Sequence, residues 1–278
     1  MTERRLSTWT SSVGAHKACL LAVLVVLIPL VVAPISSSHA KPRTIHVFVA
    51  LADNQNQGIV PVPTALGNGE GPAGNLYWGA RFGLKAFFKA SAEWELLATI
   101  EKPRDAVLER CVFKHRNADV YLIADAYRGS RIRDAIVDFL NAAASRSAEA
   151  ISVSTKANPV TLAATGGSDL AVYIGHDGLM DFSIPAEDAR QARSEKKVIV
   201  LACASKAYFA PHVRAAGAFP LLWTTGLMAP EAYTLKAALE GWIAGESDDS
   251  IRLRAARSYD QYQKCGLRAA QRLFATGW

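Results

Sequence analysis

Two apolar runs rich in valine and isoleucine constrain the fold of this chain more than any other feature. The first, Asp169-Leu170-Ala171-Val172-Tyr173-Ile174-Gly175, leads into His176-Asp177-Gly178. The second, Lys197-Val198-Ile199-Val200-Leu201-Ala202, leads into Cys203-Ala204-Ser205. Runs of this length, bounded by glycine and charge, predict buried strands of a parallel sheet. In an open parallel sheet the groups just past the strand C-termini share one crevice. Two neighbouring strands would therefore bring an imidazole and a thiol to one sheet edge, and a base beside a thiol is what nucleophilic cysteine chemistry needs.

Other segments extend this pattern. Thr44 to Leu51 predicts a first strand, followed by a long polar loop from Asp53 to Asn75 with many glycines and prolines. Loops of that length inside a domain are often functional. Asn75 is the expected cap of a helix from Leu76 to Lys89. Trp94 to Ile100 and Asp119 to Ala126 predict strands, and Ala106 to His115 fits helix or strand. Ser130 to Ala144 predicts an amphipathic helix, Ser145 to Gly167 a surface connection, and Pro185 to Lys196 a loop or short helix. Ser205 is the expected cap of a helix toward Ala216, and Ala218 to Thr224 predicts one more strand. Helices are expected from Pro230 to Ala244, from Asp249 or Ser250 to about Lys264, and from Leu267 to Phe274. Strands alternating with helices argue for an α/β domain with a mainly parallel sheet.

The first forty residues have the makings of a leader. Arg4, Arg5 and Lys17 precede an apolar run from Leu20 to Val32, and Ser38-His39-Ala40 supplies small residues for cleavage after Ala40. Cys19 lies before the apolar run, which argues against a lipoprotein site. Cleavage would leave Lys41 to Trp278 as one domain, periplasmic or secreted. An uncleaved membrane anchor is the alternative, and only then is a membrane expected as a partner. The formal charge of the 278-residue chain is +6, and about +4 without the leader. Lys and Arg are scattered, so nucleic acid is not expected. Cys111, Cys203 and Cys265 remain after cleavage, compatible with a Cys111–Cys265 bridge plus a free Cys203 or with no bridge. No CxxC occurs and histidine is sparse, so no structural metal is expected.

Ile174-Gly175-His176 and Leu201-Ala202-Cys203 resemble the two boxes of the caspase-like cysteine peptidase clan. That clan includes caspases, legumains, gingipains, clostripain, separase and the bacterial CHAT domains. In it one apolar strand ends in His-Gly and the next ends in Cys, commonly as Ala-Cys. Here the two residues lie 27 positions apart. Phe219 to Thr224 and the helices after it resemble CHAT and gingipain domains most. The resemblance covers Asp169 to about Tyr262, and the N-terminal half only in the order of its elements. It implies a three-layer caspase-like domain with helices on both faces of a mainly parallel sheet, and a His176/Cys203 dyad for peptide-bond hydrolysis. No cofactor is expected. Some relatives use calcium, but no acidic loop here has ligand spacing.

One departure stands out: Asp177 separates His176 from Gly178, whereas the clan has Gly directly after His. By the resemblance, Cys203 attacks a carbonyl, His176 is the base, and the N–H groups of Cys203 and Gly178 hold the oxyanion. Asp177 becomes a candidate for orienting substrate. Asp53 and Asp125 end strands on the same sheet edge and are candidates for reading a basic side chain. Trp223 and Met228 are candidate pocket walls, whereas His46, inside a strand, is expected to be structural. The leading expectation is an exported cysteine endopeptidase with a peptide or protein substrate. The alternative is a catalytically silent caspase-like fold that binds a peptide or protein. An α/β hydrolase is disfavoured because no Gly-x-Ser-x-Gly elbow is present.

Overall fold

Val47, Phe48 and Val49 lie mid-strand in Arg43–Ala50, which occupies the middle of an eight-stranded sheet. In the computed structural model, residues 41–155, 158–185 and 196–278 are described. The expected leader, residues 1–40, and most of the Pro185 to Lys196 segment lie outside them. Strands β1 (Arg43–Ala50), β2 (Trp94–Arg104), β3 (Val107–His115), β4 (Val120–Tyr127), β5 (Ala148–Val153), β6 (Val160–Thr165), β7 (Leu170–Ile174), β8 (Lys197–Leu201), β9 (Phe219–Thr224) and β10 (Phe274–Ala275) are joined by helices α1 (Leu84–Lys89), α2 (Ile132–Ala143), α3 (Ser205–Ala215), α4 (Ala232–Ile243), α5 (Asp248–Gln263) and α6 (Leu267–Leu273).

The sheet order is β10-β9-β8-β7-β1-β4-β3-β2. β4, β1, β7, β8 and β9 run parallel, and β2, β3 and β10 pair antiparallel at the two edges. From β1 the chain runs to the edge strand β2 and returns inward through β3 to β4, then crosses β1 to build outward through β7, β8 and β9. The reversal at β1 and β7 is a topological switch point, where the loops part and leave a crevice.

Alternation along β1 divides the core. Ile45, Val47 and Val49 face a cluster completed by Leu84 and Phe88 of α1, Leu235 and Leu239 of α4, and Ile251 and Tyr259 of α5. Phe48 and Ala50 face a second cluster with Ile136 and Phe139 of α2 and Phe209 of α3. A strand buried on both faces needs apolar residues at successive positions, as β7 and β8 have. No described helix is long and apolar enough to cross a membrane.

Of the two options for Ala106 to His115, the structure takes the strand, β3, paired antiparallel with β2 and β4. Two expectations need correction. The segment expected as a surface connection forms the β5–β6 hairpin, whose Ile151, Val153 and Leu162 cover Val112, Tyr121 and Ile123 of the sheet. The helix after Asn75 begins only at Leu84. Asn75 instead clamps Ala52, accepting from its N–H at 3.0 Å and donating to its carbonyl at 2.8 Å. That bond pair ties the far end of the long loop to the end of β1.

Candidate active site

The register of the sheet brings His176 and Cys203 to one edge. β7 and β8 pair in parallel with Ile174 opposite Leu201, so each residue lies two positions beyond the same pair. Neighbouring strands are about 4.8 Å apart. Gly175, between strand and histidine, has φ of +147°. A Cβ there would lie 3.0 Å from the Ala50 carbonyl oxygen of β1, so only glycine lets the chain turn this close to the central strand. After Cys203 the backbone turns through Ala204, whose φ is +48°, into α3. Ser205 does not cap that helix; its buried hydroxyl donates to the Val200 carbonyl at 2.9 Å. This pins the Cys203 turn to the end of β8.

Both side chains line one cleft of about 480 Å³. Its walls come from the loop after β1 (Ile59, Val62, Leu76, Tyr77), from the loop after β9 (Leu227, Met228, Pro230, Glu231), and from Met180 and Gln263. The Cys203 thiol donates to the Met228 carbonyl at 3.5 Å and accepts from the Met228 N–H at 3.4 Å. Among the described residues no hydrogen bond joins Sγ to the imidazole. A larger recess of about 580 Å³ between α4 and α5 is lined by paired charges such as Arg254 and Glu246.

His176 is buried, and its Nε2 lies 2.7 Å from Oδ2 of Asp181. The same oxygen accepts the Gly58 N–H at 2.9 Å. A carboxylate oxygen accepts here, so Nε2 is the donor of this pair. Asp181 thus orients the ring and links it to the loop after β1. Sequence reasoning missed this residue. The one available signal was an acid five positions after His176, separated from it by a turn.

Four other predicted residues sit elsewhere, and one is turned inward. The Gly178 N–H donates to the His176 carbonyl at 3.1 Å, and a Cβ at Gly178 would meet the Phe182 ring and Ile132, so it faces the core and does not point into the cleft. Asp53 caps its own loop, accepting from the Gln55 and Asn56 N–H groups and from the Asn56 amide at 2.8 Å. Asp125 is fully buried between Arg110, at 2.6 and 2.8 Å, and His46 at 3.2 Å. Burial alone would raise its pKa, but the Arg110 guanidinium and the His46 hydrogen bond outweigh that and hold its carboxyl far below the usual range. Trp223 packs in the core beneath α3 and edge-on to Trp278. Asp177 is fully buried. One oxygen accepts from Leu179 N at 3.0 Å, capping the turn, and the other has no partner among the described residues. Burial, aided by the neighbouring Asp181 charge, pushes its pKa up to about 7. It is therefore placed to shape the turn that carries His176, not to meet substrate.

Met228 does line the cleft, and His46 is structural as expected, its Nδ1 accepting the Thr165 N–H at 2.8 Å. Cys111, buried in β3, and Cys265, exposed beyond α5, are free thiols. Among the described residues no three His, Cys, Asp or Glu side chains cluster as metal ligands. Neither family models, curated proteins nor solved structures match this chain.

Proposed function

We propose that this chain is a cysteine endopeptidase with a three-layer caspase-like arrangement. The observation that supports it most is the equal offset of His176 and Cys203 from the Ile174–Leu201 pair, with both lining one cleft at the switch point. In this reading the Cys203 sulfur attacks the substrate carbonyl carbon, and the carbon–oxygen π pair moves to oxygen. The thiol proton passes to Nδ1 of His176, whose other nitrogen is held by Asp181. Collapse of the oxyanion expels the amine, which leaves with that proton. Water then hydrolyses the thioester and restores the thiol. His176 and Cys203 are the catalytic residues, and Asp181 is a positioning residue.

The exported location, with Lys41 as the first mature residue, is part of the same proposal. The second reading, a silent fold that binds a peptide in this cleft, is favoured by two observations. The thiol bonds the Met228 backbone, and the Gly178 N–H expected in the oxyanion hole is used within its own turn. Apo enzymes often hold catalytic groups in such loose contact before substrate arrives.

The test uses the full chain, Cys203→Ala and His176→Ala, with a peptide library and reductant. Loss of all cleavage in both variants is the expected result. Absence of cleavage by the wild type, with Cys203 alkylating no faster than the exposed Cys265, would move the assignment to the silent binding module.

A further inference from the structure

Among the described residues, Glu231 is the one carboxylate lining the cleft, and no Lys or Arg lines it. It precedes α4 as its N-cap residue but makes no capping hydrogen bond. Its side chain turns instead toward Tyr233 and Gln263. The Tyr233 hydroxyl donates to Oε2 at 2.9 Å and the Gln263 amide at 3.2 Å. Gln263 also donates to the Tyr233 oxygen at 2.7 Å, so the donors brace one another. A carboxylate has about four acceptor positions on two oxygens. Both neutral donors fall on Oε2, and among the described residues no donor reaches Oε1. Among the described residues no cation pairs with this carboxylate.

Distance along the chain keeps the acid close to the nucleophile. Cys203 Sγ touches the backbone of Met228, three residues before Glu231. Three residues span about 10 Å at most. Between them the walls are apolar: Met228, Pro230, Leu76 and Ile59. An apolar corridor ending in an unpaired carboxylate suits a long aliphatic stem with a cationic head. Tyr77 lines the same cleft. Burial, with the Glu231 charge adding to it, keeps its phenol protonated well above the ordinary range, so it is a neutral donor there.

Resting on the peptidase reading, we infer that the cleft selects chains presenting an arginine or lysine side chain to Glu231, which makes Glu231 the specificity residue in place of Asp53 and Asp125. The apolar rim, with Val60 86% and Leu227 76% exposed, fits apolar residues beside that cation.

Two measurements test this on the full chain, on Glu231→Gln and on Glu231→Asp. The first compares kcat/KM for peptides that differ only in Arg, Lys, citrulline, Gln or Asp at one position. Arg and Lys peptides should be cleaved fastest. Glu231→Gln should lose about 10- to 100-fold on them, mostly in KM, with the citrulline peptide unchanged and Glu231→Asp partly restored. The second asks whether agmatine protects Cys203 from iodoacetamide, which requires no peptide cleavage. Saturable protection in the wild type and none in Glu231→Gln is expected. Cleavage without cation preference, or a preference that survives Glu231→Gln, would overturn the inference and leave the peptidase standing. Glu231-dependent protection without any cleavage would remove the peptidase and keep the cation site. Neither protection nor cleavage would overturn both.

Discussion

Replacing Gly58, which lines the cleft, by alanine should weaken catalysis by displacing the Asp181 carboxylate. A Cβ at Gly58 would lie 3.1 Å from Asp181 Cγ and closer still to its Oδ1. The Gly58 φ is not positive, so alanine costs little in the backbone. The obstructing atoms belong to a side chain that is 34% exposed and able to swing outward. The carboxylate therefore yields, and its bonds to His176 Nε2 (2.7 Å) and Gly58 N (2.9 Å) are lost together. A charge-assisted hydrogen bond contributes about 1.5–3 kcal/mol, and partial exposure puts this one at the lower end. A loss of about 1.4–2 kcal/mol is a fall of roughly 10- to 30-fold in kcat/KM. The assay is peptide cleavage by wild type, Gly58→Ala, Asp181→Ala and the double variant, with Tm recorded for each. Gly58→Ala should change kcat far more than Tm, and its effect should vanish in the Asp181→Ala background, because both changes break one contact. Additive losses, or full activity in Gly58→Ala, would refute Asp181 as the residue that positions His176.

Asp177 sets a pH dependence of stability. Between the ordinary carboxylate range and about pH 7 the unfolded chain has released this proton while the folded chain keeps it, so its contribution to stability falls across about pH 4–7 and is complete below that window. Urea melts of wild type and Asp177→Asn at pH 5 and pH 7.5 should show a smaller loss in the variant; equal losses would contradict it. Arg110→Met should destabilise the fold by about 3–5 kcal/mol, because it strips the guanidinium from the buried Asp125; chemical denaturation that shows less than about 1 kcal/mol would contradict a paired buried charge. Asn75→Ala should cost about 2–3 kcal/mol by orphaning the buried Ala52 backbone groups, and hydrogen exchange should rise across residues 53–75. Unchanged protection there would show that the clamp is not what orders the loop.

Composition and periodicity alone determined the α/β class, the main members of six strands (β1, β2, β4, β7, β8 and β9) and the strand-end placement of His176 and Cys203. These features are local: a β-branched apolar run has few folded options, and its end is marked by glycine or charge. The β5–β6 hairpin was illegible because its alternating Ala, Ser and Thr residues carry little apolar contrast until the sheet covers them. Asp53, Asp125 and Glu231 are equivalent as letters, each an acid near the end or start of an element. Only the tertiary structure separates them, by what already occupies their oxygens: loop amides for Asp53, Arg110 and His46 for Asp125, two neutral donors on one oxygen for Glu231. Asp181 likewise gains its role from Gly58, 123 positions away. Backbone preference acts over a few residues and can be read along the chain, whereas the environment of a charge is set by groups that only folding brings within hydrogen-bond reach.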